Sequence, residues 1–171
     1  MNSNNFNPLV SIIVNCYNGD KYLLKALNSI VNQTYKNWEV IFWDVSISKK
    51  SKEIFDSFKE ERFKYFFSNK KKLYHSRNEA IKQSKGEIIA FLDCDDWWVE
   101  NKLEKQVPVF KDDSISLVYS NYFSYFEKSK KILAINKKKI YSGYIQNKLL
   151  KSYHIGILTT LIRKKIFNKL S

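Results

Sequence analysis

Apolar residues recur along this chain in two rhythms. Near-continuous runs at Val10–Val14 (VSIIV), Val40–Trp43 (VIFW), Phe63–Phe67 and Ile88–Leu92 (IIAFL) have the length and content of strands buried on both faces. Between them the spacing changes to three and four. Tyr22, Leu23, Ala26, Leu27, Ile30 and Val31 share one face of a helix that follows a turn at Asn18-Gly19-Asp20. Ile54, Phe55 and Phe58 mark a second helix. Ala80 and Ile81 help face a third, over Tyr74–Ser84, with Gly86 placed to stop it as a C-terminal cap. Beyond the fourth strand the pattern predicts a helix from Leu103 to Phe110, a long β stretch over Ser116–Phe126 and a hairpin arm at Lys130–Tyr141. A helix at Ile145–Leu150, a strand at Leu158–Ile162 and a closing helix at Ile166–Leu170 follow.

Strands alternating with helices make βαβ units, so the expected class is α/β, a mainly parallel sheet flanked by helices with right-handed crossovers. Neither a repeat nor a linker divides the 171 residues, and one domain over residues 1–171 is expected. Ligands of such sheets bind beyond the carboxyl ends of the strands. That rule singles out Tyr17 and Asn18 after the first strand, Asp44 after the second, and Asp93 to Asp96 after the fourth.

Composition narrows the class without naming a chemistry. Hydrophobic residues make up 44%, with 12 Phe, 11 Tyr and 4 Trp, which is enough to bury a core and excludes a disordered segment. Four Gly and two Pro exclude a fibrous or loop-dominated chain. The formal net charge of +13 comes with lysine runs at Lys49-Lys50, Lys70-Lys71-Lys72, Lys130-Lys131 and Lys137-Lys138-Lys139. An anionic partner, a phosphate-bearing substrate or a membrane surface, fits that excess; for any single run, lysines on a solvated face are the favoured reading. The runs are scattered and no nucleic-acid-binding signature accompanies them, so nucleic acid is not an expected partner. Cys16 and Cys94 lie in apolar stretches without metal-ligand spacing and read as buried free thiols of a reducing compartment. The polar N-terminus carries no secretory signal, and no apolar run approaches the roughly 20 residues of a membrane span. The expected location is cytoplasmic, either free or peripheral to the inner membrane face.

The densest chemistry is Phe91–Trp98, FLDCDDWW. Three carboxylates within four positions repel one another at the end of an apolar strand, and a hard divalent cation, Mg²⁺ or Mn²⁺, relieves that repulsion. Such a cation also stabilises a diphosphate leaving group as negative charge grows on it. The plain alternative is a set of Asp residues capping backbone N–H groups at a turn. Asp44 ends the strand EVIFWD, and adjacent parallel strands would put it on the same rim as Asp93, where it can accept a hydrogen bond from a base or ribose. Its alternative is an ordinary turn residue. Arg77, followed by Asn78 early in a helix, can meet phosphate oxygens, or pair with Glu79 or Asp96 at the surface. His75 and His154 are lone histidines with no partner legible in the sequence.

In this order the motifs resemble family 2 glycosyltransferases of the GT-A fold, a Rossmann-like architecture. The matching text is PLVSIIVNCYNGDKYLLKALNSIVNQTYKNWEVIFWD, then SRNEAI, then KGEIIAFLDCDDWWVENKLEKQ, together Pro8 to Gln106; SNYFSYF and HIGILTTLIRKKIF match more loosely. The resemblance implies transfer of a sugar, by an inverting route, from a nucleotide-diphosphate donor, commonly a UDP-sugar, to a polysaccharide, glycan or lipid-linked acceptor. It implies that Asn15 and Tyr17 line the base pocket, Asp44 binds the base, Arg77 approaches base or diphosphate, and Asp93 contacts ribose or metal. Asp95 would be the principal ligand of Mn²⁺ or Mg²⁺, because Asp93-Cys94-Asp95 matches the family's DxD motif. Asp96 would support it from behind, and Trp97 and Trp98 would pack beneath the site.

Three departures stand out. DVSISKKS, which begins at Asp44, lacks a second Asp, and Tyr74-His75-Ser76 stands where a Gly often precedes the arginine. The general base that deprotonates the acceptor belongs to a later segment in the family, so the base is expected beyond Ser171 and the chain reads as truncated at its C-terminus. Two rival readings use the same residues: a phosphatase with Asp93 as nucleophile and Asp95 as acid, and a non-catalytic basic module that binds nucleotides, membranes or a partner.

Overall fold

The computed structural model describes residues 6–69, 72–135, 140–153 and 155–169. Lys70, Lys71, Lys137, Lys138, Lys139, His154 and Leu170 lie outside the described residues. Four parallel strands, β1 (Val10–Cys16), β2 (Trp38–Asp44), β3 (Phe63–Phe67) and β4 (Ile88–Asp93), alternate with helices α1 (Asp20–Val31), α2 (Lys50–Ser57) and α3 (Leu73–Gln83). A short helix α4 (Lys102–Gln106) runs into a 3-10 turn at Val107–Lys111, where Pro108 interrupts the α-helical ladder. The remaining elements are β5 (Leu117–Val118), β6 (Phe123–Phe126), β7 (Lys131–Ala134), α5 (Gln146–Lys151) and β8 (Leu161–Arg163).

The main sheet has the order β3-β2-β1-β4-β8-β5, with β8 antiparallel to both β4 and β5. Alternation along the strands divides the core in two. Val10, Ile12, Val14, Val40, Phe42, Ala90 and Leu92 face α1, Phe55 of α2, and Leu103, Val107 and Phe110. Ile13, Ile41, Trp43, Ile89 and Phe91 face Ala80 and Ile81 of α3. Because both faces are covered, these strands carry apolar residues at consecutive positions rather than at every second one.

Several expectations change: the helix expected over Leu103–Phe110 is α-helical only to Gln106, and of the hairpin arm expected at Lys130–Tyr141 the described part is β7, which ends at Ala134. The stretch Ser116–Phe126 is not one strand: β5 joins the main sheet, while β6 pairs with β7 in a separate hairpin. The expected strand at Leu158–Ile162 begins only at Leu161, after a 3-10 turn at Ile157–Thr159. The closing segment Lys164–Lys169 is a 3-10 turn rather than an α-helix. Gly86 is no left-handed cap, since α3 ends at Ser84 with φ −72°. Its need is space: a Cβ there would meet the Leu9 carbonyl at 2.6 Å and the Ser11 amide at 2.7 Å, where α3 returns into the sheet. Among the described residues no helix is long and apolar enough to cross a membrane.

Candidate functional site

The carboxyl ends of β1, β2 and β4 form one rim. Register places Asn15 between Trp43 and Asp93, and Cys16 beside Asp44. Two consequences follow from alternation. Asp44 and Asp93 are not on adjacent strands, because β1 lies between them. They also leave the sheet on opposite faces, Asp44 with Cys16 and Asp93 with Asn15.

Asp44 is 2% exposed and its carboxylate is well supplied. Oδ1 accepts from the Ser46 amide at 2.8 Å, and Oδ2 accepts from Ser51 Oγ at 2.5 Å and Tyr65 Oη at 2.8 Å. Burial, and then the bond to this carboxylate, push the Tyr65 phenol upward. The β1–α1 turn is tied to the same loop: Asn18, in the left-handed region at φ 51°, donates its amide to Ser46 Oγ and accepts from the Ile47 amide. Tyr17 beside it is 52% exposed. Gly19 lets the turn pass over the thiols of Cys16 and Cys94, since a Cβ there would meet Cys94 Sγ at 2.2 Å. Both cysteines are free and buried.

On the other face, Arg77 Nη2 of α3 donates to both oxygens of Asp93, at 2.8 and 3.0 Å. This is the partner of Arg77 in place of Glu79 or Asp96, and it leaves Asp93 poorly disposed as a phosphatase nucleophile. Next to the pair, both amide atoms of Asn15 and Arg77 Nε are buried without a hydrogen-bond partner.

The acidic cluster continues into the loop after β4. Asp95 is exposed and Asp96 half-buried. Burial, then repulsion from Asp95 and Asp93, push the Asp96 carboxyl up to about 6. No group of three His, Cys, Asp or Glu side chains among the described residues is arranged to cage a metal by itself. A cation held by one or two carboxylates that takes phosphate and water for its remaining ligands needs no such cage, and the mutual repulsion of these acids fits it.

Asp95 and Asp96 open onto a cleft of about 680 Å³, whose far wall is the β6–β7 hairpin. Lys21 and Tyr22 of α1 bind Glu127 at 2.8 and 2.9 Å and hold that hairpin in place. Trp97, expected beneath the site, lines the cleft instead, edge-on to Tyr125 at 5.6 Å with Lys25 Nζ 3.2 Å from its ring centroid. Trp98 is buried and anchored, its amide donating to Ser29 Oγ and its indole to the Leu158 carbonyl. Gln33, fully buried, ties the loop and α4 to α1 by donating to the Val99 carbonyl and accepting from the Leu103 amide. Nothing in the sequence pattern marks Ser51 and Tyr65 as partners of Asp44, or the buried Lys102 as a lining residue of the cleft. For the last, the i, i+4 spacing of Lys102 and Gln106 is the signal of their mutual contact.

The family model for glycosyl transferase family 2 matches residues 11–171. The chain is 35% identical over 170 residues to an Escherichia coli UDP-Glc:alpha-D-GlcNAc-diphosphoundecaprenol beta-1,3-glucosyltransferase, WfgD, covering 95% of this chain and 63% of that protein. Staphylococcus aureus TarS 1-349 in complex with UDP-GlcNAc superposes with a TM-score of 0.68 at 18% identity, over 94% of this chain and 47% of that one. The Pyrobaculum calidifontis mannosyltransferase PcManGT, in complex with GDP-Man and Mn²⁺, superposes at 0.72 with 16% identity, over 98% of this chain and 48% of that one. The chain thus spans about 63% of the length of the E. coli relative. With its parallel sheet, its acid-bearing rim and a family match reaching from β1 to the last described turn, the chain has the GT-A fold and belongs to glycosyl transferase family 2.

Proposed function

We propose that residues 1–171 form the nucleotide-sugar-binding part of a glycosyltransferase that moves a sugar from a nucleoside-diphosphate donor, a UDP-sugar, to a lipid-linked or other glycan acceptor with inversion. The observation that carries the reading is the placing of Asn15, Tyr17, Asp93 and Asp95 at the carboxyl ends of β1 and β4, with Arg77 of α3 bonded to Asp93 and with Asp95 also lining the cleft. The E. coli relative named for UDP-Glc and a diphosphoundecaprenol acceptor supports both substrate classes.

The unpaired amide of Asn15 supplies a donor and an acceptor for the base, beside Tyr17. Asp44 has three of its acceptor positions filled, so we give it a lesser share in base binding, through the remaining lone pair and the loop it organises. Arg77 meets the ribose-diphosphate side while orienting Asp93. Asp95, with Asp93, would hold Mn²⁺ or Mg²⁺, which neutralises charge on the departing diphosphate. We assign the acceptor's general base to none of the described residues. A lipid-linked acceptor places the protein at the cytoplasmic face of a membrane, where its +13 charge favours anionic lipid.

Calorimetry with UDP and Mn²⁺ tests the donor site. Wild type binds UDP only with the cation, and Asp95→Ala weakens binding at least about tenfold, the cost of one charge-assisted ligand. Equal binding by wild type and Asp95→Ala would remove the metal assignment.

A further inference from the structure

We propose that Lys102 marks a recognition site at the cleft floor for an anionic group, a phosphate or carboxylate carried by the acceptor. The proposal rests on the transferase reading and adds an acceptor class to it.

Lys102 is 8% exposed and lines the cleft that begins at Asp95 and Asp96. Its Nζ donates to Gln106 Oε1 at 2.5 Å and lies 4.5 Å from the centroid of the Trp98 ring. Gln106 is itself fixed, because its Nε2 donates to the Thr159 carbonyl at 2.9 Å, which turns Oε1 toward the ammonium. Among the described residues no carboxylate lies within ion-pair distance of Lys102. An ammonium has three N–H bonds. When protonated, this ammonium has one amide oxygen and the face of one ring for partners, and among the described residues no counter-charge.

Packing does not call for that charge. A buried, unpaired ammonium opposes folding, and an apolar side chain of the same length in the same place would be cheaper. Burial pushes this ammonium down to about 7, which is the same cost expressed as proton affinity. An anion in the cleft supplies the missing counter-charge. The cleft suits the rest of such a ligand: its volume is within the roughly 300–1,000 Å³ of small-molecule sites. Trp97, Tyr122 and Tyr125 offer apolar faces with polar edges for a sugar ring. Asp95 and Lys102 line the same cleft, so one ligand in it can face both.

The test is NMR titration of ¹⁵N-labelled protein in metal-free buffer, so that no cation can present a phosphate at Asp95. The probes are glucose 1-phosphate, glucuronate and neutral glucose, and the readouts are the Trp98 indole and the amides of Lys102 and Thr159. At least one anionic probe binds the wild type more tightly than glucose does. Lys102→Met weakens that binding by about tenfold or more, as loss of a charge-assisted contact should. Binding of glucose 1-phosphate alone identifies a phosphate-bearing acceptor, and binding of glucuronate alone a uronic acid. Lys102→Met melts no lower than wild type and keeps wild-type affinity for UDP with Mn²⁺. The proposal is overturned if neither anion outbinds glucose, if Lys102→Met binds the anion as well as wild type, or if UDP affinity falls equally, which would give the lysine to the donor. Wild type that binds glucose 1-phosphate but not UDP with Mn²⁺ would leave this anion site standing and remove the donor reading instead.

Discussion

The two ends of the same parallel strands are built to opposite rules. At the amino-terminal rim, Glu39 is 5% exposed and forms a closed circuit. Its Oε1 accepts from Ser11 Oγ at 2.6 Å and from the Lys85 amide at 2.5 Å, Lys64 pairs with its other oxygen, and Ser11 Oγ in turn accepts from the Gly86 amide at 2.8 Å. Burial works against this carboxylate, but the bonds from Lys64, Ser11 and the Lys85 amide hold it below the ordinary range. At the carboxyl-terminal rim, the Asn15 amide, Trp43 Nε1 and Arg77 Nε are buried without partners, and Asp95 faces solvent. Trp38 Nε1 is the counter-example near the amino-terminal rim, and Asp44 the closed residue at the other. One end spends its polar groups on folding, and the other holds several in reserve, as a ligand site must.

This contrast can be broken by mutation, most forcefully at the closed end. Gly86→Ala puts a Cβ 2.6 Å from the Leu9 carbonyl, a backbone atom that cannot swing away. It should cost about 3 kcal/mol or more in chemical denaturation, in the upper range for single substitutions. Tolerance of alanine within experimental error would show that the rim is looser than its geometry.

Glu39→Gln removes the charge from the circuit and should cost about 2 kcal/mol, since Lys64 is partly solvated and part of the pair is screened. The pH dependence has a defined sign. The folded-state pKa of Glu39 lies below its ordinary 4.5, so its contribution is complete above that value and is lost as pH falls below it. Glu39→Gln should therefore flatten the acid limb of the stability curve. An unchanged limb would mean that other carboxylates carry it.

The smallest effect on folding is expected at the open end. Asn15→Leu removes a buried amide that has no partner, so stability should change by less than about 1 kcal/mol, in either direction. UDP binding should nonetheless fall. A large loss of stability with binding retained would place Asn15 among the structural residues and erase the contrast between the rims.

Much of the frame was legible from the chain. The runs VSIIV, VIFW and IIAFL and the stripe Leu23-Ala26-Leu27-Ile30 identify strands and helix because burial on two faces and on one stripe leaves different spacings. The acidic cluster was legible for a related reason, since like charges gathered at a strand end demand explanation. The tail was read less well. SLVYSNYFSYF is β-like throughout, yet Leu117–Val118 and Phe123–Phe126 go to different sheets, because strand propensity says nothing of partners.

By itself, then, the sequence determined the succession of elements, the sheet's buried character and the set of residues that reach its carboxyl rim, because periodicity and strand ends are local properties. Only the tertiary structure decided which of them share a face. A neighbour in register, not in sequence, put Asn15 between Trp43 and Asp93, sent Asp44 to the opposite side, locked it with Ser51 and Tyr65, and buried Lys102 beneath Trp98 without a counter-charge. Hydrogen-bond saturation and charge burial depend on atoms far apart in the chain, and they exist only once the sheet has closed its layers around them.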